Sequence, residues 1–190
     1  TLTAGATTLT NATVTSGGNT TLNTAELQAN QARINALGNF SATSSAAVTA
    51  QQLALAAGGS AAITATQGID LSRGSVSAQT IALSAGGVLN NTGGNLHAGA
   101  TTGDALTLQS QGLVNDQGTI ASNAGLSMQA NTGSVSNAAG RVLALGAGFA
   151  RHGRSAPLAL GALGLCLMAG ALAVGHGLSE AILTIGGVSI

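Results

Sequence analysis

One pattern, Asn-x-x-Gly-x-aliphatic-x-Ala/Ser, recurs along this chain and limits what it can fold into. It occupies 91–98 (NTGGNLHA), 115–122 (NDQGTIAS) and 137–144 (NAAGRVLA), so that successive copies begin at Asn91, Asn115 and Asn137. A fourth segment, 71–78 (LSRGSVSA), lacks the Asn but keeps Gly74, Val76 and Ala78. A second pattern, aliphatic-x-aliphatic-x-Ala/Ser-x-Gly, fits 53–59, 81–87 and 106–112, and 126–130 with its Gly displaced to Gly133. Read together, the two sets alternate in units of about 20–28 residues, within the period range of solenoid repeats. Each unit holds two short segments closed by Gly or Asn. Alternation with period 2 is the mark of a strand.

A five-residue strand with two inward aliphatics buries too little surface to stand alone. Stacking such units pairs each strand with its copies above and below at about 4.8 Å. This arrangement predicts a parallel β-helix in which Val76, Leu96, Ile120 and Val142 form one inward column and Leu83, Leu108 and Met128 another. Two readings of Asn91, Asn115 and Asn137 stand side by side. They form an amide ladder between coils, or they are turn residues facing solvent. An antiparallel sandwich is the competing architecture, but it favours larger core residues and hairpin turns. Here the only aromatics are Phe40 and Phe149, with no Trp or Tyr. Upstream the units are looser. Val14–Ser16, Leu27–Ala29, Phe40–Ala42, Val48–Ala50 and Ile63–Ala65 recur at shorter intervals, as single strands of the same coil do. The stretch 26–36 also admits a short helical excursion. The prediction for 1–145 is about six or seven coils, a rod roughly 30 Å long.

Over the run from Ile81 to Val142 the chain resembles the haemagglutinin repeats of filamentous haemagglutinins and contact-dependent growth-inhibition exoproteins. The resemblance is good over 53–145 and loose over 1–52. It implies an all-β, right-handed parallel β-helix (a solenoid) exported through an outer-membrane transporter partner. It also implies a secreted or bacterial cell-surface location and contact with a receptor or glycan on a host or neighbouring cell. The expected function is a structural and adhesive filament segment. The alternative is the stalk of a contact-dependent toxin-delivery exoprotein, and a more distant one is a β-helix carbohydrate-active enzyme. The Asn-Pro-Asn motifs of that family's amino-terminal secretion domain have no counterpart, since Pro157 is the only Pro. The chain opens at Thr1 with no signal peptide in view, so the expectation is an internal rod segment.

Little in the sequence suggests chemistry, and the expectation is no enzyme, no catalytic, cofactor-binding or metal residue, and no cofactor. The stretch 58–62 (GGSAA) misses the second Gly of a nucleophile elbow. The stretch GAGFAR from Gly146 puts Arg151 where a dinucleotide loop needs Gly. His97, His152 and His176 are far apart along the chain, and Asp70, Asp104 and Asp116 match no calcium-loop spacing. Asp116 reads as a turn residue capping backbone amides. Five Arg, no Lys and zero net charge leave no cation cluster for nucleic acid. The Thr-x-Thr pairs starting at Thr1, Thr8, Thr13 and Thr64 are spaced too unevenly for a per-coil array, and the sequons at Asn11, Asn19, Asn39 and Asn90 follow from composition.

Composition changes at the end of the rod. All 13 Asn and all 10 Gln precede residue 138. The stretch 146–190 forms a Gly/Ala/Leu-rich tail in which 157–175 carry no polar side chain, behind Arg151 and Arg154. Six Leu and one Val there favour membrane insertion by about 2–4 kcal/mol, and four Gly oppose it. The expectation is an apolar helix over 157–175, with Cys166 as a small buried residue, that contacts a membrane or caps the final coil. Degenerate solenoid and out-of-frame translation are the two alternatives.

Overall fold

The structure is a computed structural model that describes residues 1–146 and the backbone of 148–152 and 164–165. Every paired strand is parallel to its neighbours, and the chain winds as a β-solenoid of about seven coils. Coil 1 holds β1 (Leu2–Thr8) and β2 (Thr13–Ser16), and coil 2 holds β3 (Thr20–Gln28) and β4 (Arg33–Ala36). Coil 3 has β5 (Phe40–Ser44), β6 (Val48–Thr49) and β7 (Ala54–Ala57); coil 4 has β8 (Ser60–Ala65), β9 (Ile69–Asp70) and β10 (Ser75–Ala78). Coil 5 has β11 (Thr80–Ala85), β12 (Val88–Asn90) and β13 (Asn95–Ala98); coil 6 has β14 (Asp104–Ser110), β15 (Gly112–Val114) and β16 (Thr119–Ser122). Coil 7 has β17 (Gly125–Ala130), β18 (Val135–Ser136) and β19 (Arg141–Ala144).

These strands make three faces. The long β3 pairs through its first half with β5 and through its end with β6, so one sheet forks there into two faces. The first face runs β3-β5-β8-β11-β14-β17, and the second runs β3-β6-β9-β12-β15-β18. The third is a separate sheet, β2-β4-β7-β10-β13-β16-β19. The expected inward columns are present and run further than the motif did. Val14, Ile34, Leu55, Val76, Leu96, Ile120 and Val142 stack in register on the third face. Ile63, Leu83, Leu108 and Met128 do so on the first. Phe40, the one aromatic in the described core, is 1% exposed and sits over Ala61, a bulky residue on a small one.

Three expectations change. Each coil from the third onward holds three strands, not two. The extra strand is two or three residues long and offers one inward aliphatic (Val48, Ile69, Leu89, Leu113 or Val135), too short for alternation to show. The segment 53–59 belongs with the Asn-x-x-Gly series, because Leu55 pairs with Val76 on the third face. The stretch 26–36 is strand, turn and strand: Leu27, Ala29, Ala32, Ile34 and Ala36 are buried at strand spacing, and Gln31 at φ 56° breaks any helix.

Past the expected boundary at 145, the backbone of β20 (Gly148–His152) pairs with β17, and that of β21 (Gly164–Leu165) pairs with β19. Gly164 and Leu165 are thus strand. The rest of the expected 157–175 helix lies outside the described residues, as do Arg154, Pro157, Cys166 and His176.

Candidate functional site

Between the second and third faces every coil makes the same tight corner. The amide of the fourth residue donates to the carbonyl of the first: Ala12 to Leu9, Ala32 to Ala29, Leu53 to Ala50, Gly74 to Leu71, Gly94 to Asn91, Gly118 to Asn115 and Gly140 to Asn137. The third residue of each turn is left-handed, at φ between 54° and 61°, in Asn11, Gln31, Gln52, Arg73, Gly93, Gln117 and Ala139. Only one of these is Gly, so six residues accept a conformation that Cβ disfavours. Their own amides continue the coil-to-coil ladder, as from Gln31 to Gln51 and from Gln117 to Ala138, which holds the backbone there.

The first residue of this turn points inward. In coils 1–4 it is Leu9, Ala29, Ala50 and Leu71; in coils 5–7 it is Asn91, Asn115 and Asn137, all buried. The ladder reading of these Asn is the one the fold adopts. Asn91 Nδ2 donates to Asn115 Oδ1 at 2.7 Å, and Asn115 Nδ2 donates to Asn137 Oδ1 at 2.6 Å. Each amide also reaches the carbonyl of its own Gly, at 3.4, 3.2 and 3.3 Å. This geometry accounts for the Gly of the motif. A Cβ on Gly94, Gly118 or Gly140 would collide with the Oδ1 of Asn91, Asn115 or Asn137 respectively.

Most carboxylates of the described part are structural. Asp70 accepts from Gln51 Nε2 (2.7 Å), the Ser72 amide (3.0 Å) and Asn90 Nδ2 (3.1 Å), which staples three successive coils. Asp116 accepts from Ser136 Oγ (2.6 Å) and the Ala138 amide (2.7 Å), so it caps an amide of the next coil and not, as its turn position suggested, one of its own turn. Glu26 accepts from Gln28. His97 is half-buried on the outside of the third face, beside Ser77 and Ala121 in register. Among the described residues no three His, Cys, Asp or Glu cluster, and no helix is long and apolar enough to cross a membrane.

Two outer surfaces depart from a plain rod. On the third face the small residues Ala54, Ala56, Ser75 and Ser77 floor a shallow trough of about 290 Å³ beside Arg33 and Asn35. At the corner from the third face to the first, where coil 5 passes into coil 6, the stretch 99–104 bulges outward. Gly103 there is at φ 73°, and the β14–β17 register slips at Ala105. Ala105 and Leu106 are consecutive and both buried, as a bulge requires. A cleft of about 350 Å³ follows, lined by Thr101, Thr102, Asp104, Asn123 and Leu145 among others. The Thr-x-Thr pairs make no continuous array, since the outward row reads Asn23, Thr43, Thr64, Ser84, Gln109 and Gln129.

Sequence reasoning missed the left-handed column because Gln, Arg and Ala fill it. It also missed the corner insertion, whose trace is the long step from Asn91 to Asn115, 24 positions where the next step takes 22. No family model matches the chain, and neither the curated proteins nor the solved structures yield a match. The fold therefore defines the class, a parallel β-solenoid.

Proposed function

We propose that this chain is a structural and adhesive rod segment of a large bacterial filament of the haemagglutinin type, secreted or held at the cell surface. The reading includes a right-handed winding, export through an outer-membrane transporter partner, and a receptor or glycan on a host or neighbouring cell as the final partner. Nucleic acid is not among the partners. The observation that supports it best is the continuity of the inward column on the third face through seven coils. Strands cross the axis at about 4.8 Å per coil, so length grows with each repeat and the core never widens. Such a body spans distance and offers repeated, individually weak contacts, which multivalency strengthens.

Beads coated with the chain test the adhesive part. They should bind cell monolayers saturably and above albumin-coated beads, with soluble chain competing. Equal binding by both bead types would withdraw adhesion and leave a spacer. Membrane contact through 157–175 belongs to the same reading: the full chain should float with liposomes, and a fragment ending at residue 145 should sediment.

A further inference from the structure

We infer that the rod is built of two cooperative units that meet between coils 4 and 5, and that the solenoid parts first at this seam. Three buried side-chain polar atoms among the described residues lack a hydrogen-bond partner: Thr7 Oγ1, Thr20 Oγ1 and Asn91 Oδ1. The first two belong to the first two coils. Asn91 is in mid-rod and 0% exposed.

Its position explains the missing partner. Carboxamides that each donate to the next leave one unused acceptor where the series begins. Asn91 begins this one, and the residue in register below it is Leu71, as the pairs Leu89–Ile69 and Asn90–Asp70 show. Leu71 has no side-chain donor and is itself 0% exposed, so neither protein nor solvent reaches the oxygen from that side. Coil 4 nevertheless carries the glycine of the motif. A Cβ on Gly74 would crowd the Leu53 and Leu71 carbonyls at 3.0 Å. The cradle is present there and the amide is missing.

The backbone ladder crosses this junction as it crosses the others, with four residue pairs between β10 and β13 and six between β8 and β11. The Asp70–Asn90 bond also spans it, but on the part-buried outside, where water replaces it on opening. The backbone ladder is shorter at the next junction, four pairs between β11 and β14, and slips between β14 and β17; what sets the junction of coils 4 and 5 apart is a buried, unpaired acceptor in mid-rod. In a solenoid each coil couples only to its neighbours. A partly open state whose boundary falls at this junction returns Asn91 Oδ1 to water, and boundaries elsewhere in the rod do not. The amide ladder ties coils 5–7 to one another and is missing from coils 1–4, so coils 1–4 open as a unit ahead of coils 5–7.

Native-state hydrogen exchange of the full chain, read by mass spectrometry, tests this. Amide exchange should step by about tenfold or more between coils 4 and 5, and not decline smoothly from the first coil. Two variants move the orphaned acceptor. Leu71→Asn extends the ladder down onto Gly74, so the step should shift to the junction of coils 3 and 4. Asn91→Leu shortens the ladder, so it should shift to the junction of coils 5 and 6, where Asn115 Oδ1 becomes the orphan. If one variant fails to fold, the wild-type profile and the other variant still decide. A smooth wild-type gradient, or a step that stays in place when the acceptor moves, overturns the inference.

Discussion

Coils 1–4 and coils 5–7 solve the same packing problem with different chemistry. In the first group the inward corner position is Leu9, Ala29, Ala50 and Leu71, an apolar column. In the second it is Asn91, Asn115 and Asn137, a hydrogen-bonded one. The group with the plainer sequence signature has the less regular backbone. Its ladder bonds join positions 24 and 22 apart, whereas the coil-to-coil bonds from Asn39 to Asn19, Gln51 to Asn30 and Ser60 to Asn39 join positions 20, 21 and 21 apart. Motif strength thus reports how strict the side-chain chemistry is, not how even the coils are. A buried amide accepts few neighbours, so the same letters recur. An apolar column accepts any aliphatic of suitable size, so they do not.

The largest expected effect breaks the feature that both groups share. Ile120→Asp sets an unpaired charge in a fully buried column and should cost several kcal/mol, about 4 or more, in denaturant unfolding. Next is Asn115→Ala, which removes two ladder bonds and leaves Asn137 Oδ1 without its donor, a loss of about 2–4 kcal/mol. Ala50→Gly, at the same corner in the apolar group, should cost only about 1 kcal/mol. A similar loss at both would mean that the ladder adds nothing beyond volume.

Gly118→Ala puts a Cβ onto the Asn91 carbonyl and Asn115 Oδ1, and should cost about 2 kcal/mol by melting temperature. Coil 2 carries a buried Ala32 at that position, so Ala32→Gly should cost about 1–2 kcal/mol, from backbone freedom and the lost methyl. The left-handed column should respond alike in both groups. Gln31→Gly and Gln117→Gly each relieve a left-handed φ, 56° and 57°, for a gain of up to about 1 kcal/mol. A gain in one group only would show that the corners differ in backbone as well as side chain. The smallest effect is expected at Thr119→Asp, one residue from Ile120 and facing outward, at under about 1 kcal/mol.

Legibility along the chain followed length and stringency. Four-residue strands such as β10 and β13 carry enough alternation to be read, and their columns stand where the residues placed them. The strands β6 and β9 have two residues each and no period to detect. The corner ladder was legible as a pair of readings, since Asn-x-x-Gly is compatible with a solvent-facing turn and with a buried amide. The corner cleft near Asp104 was not legible, because its bulge becomes defined only by the register of β14 against β17.

The sequence alone determined the repeat, the inward columns and the parallel stacking that follows from identical units too thin to fold alone. It also determined the composition that keeps the core narrow. The tertiary structure decided that there are three faces, that Asn points inward, and that one amide oxygen in the middle of the rod has no partner. Each of these depends on what lies one coil away. A residue's neighbour in the next coil sits 20 positions along the chain at Asn19 and 24 at Asn91. The burial of an amide and the donors within its reach are therefore properties of the stacked pair, and no single repeat contains them.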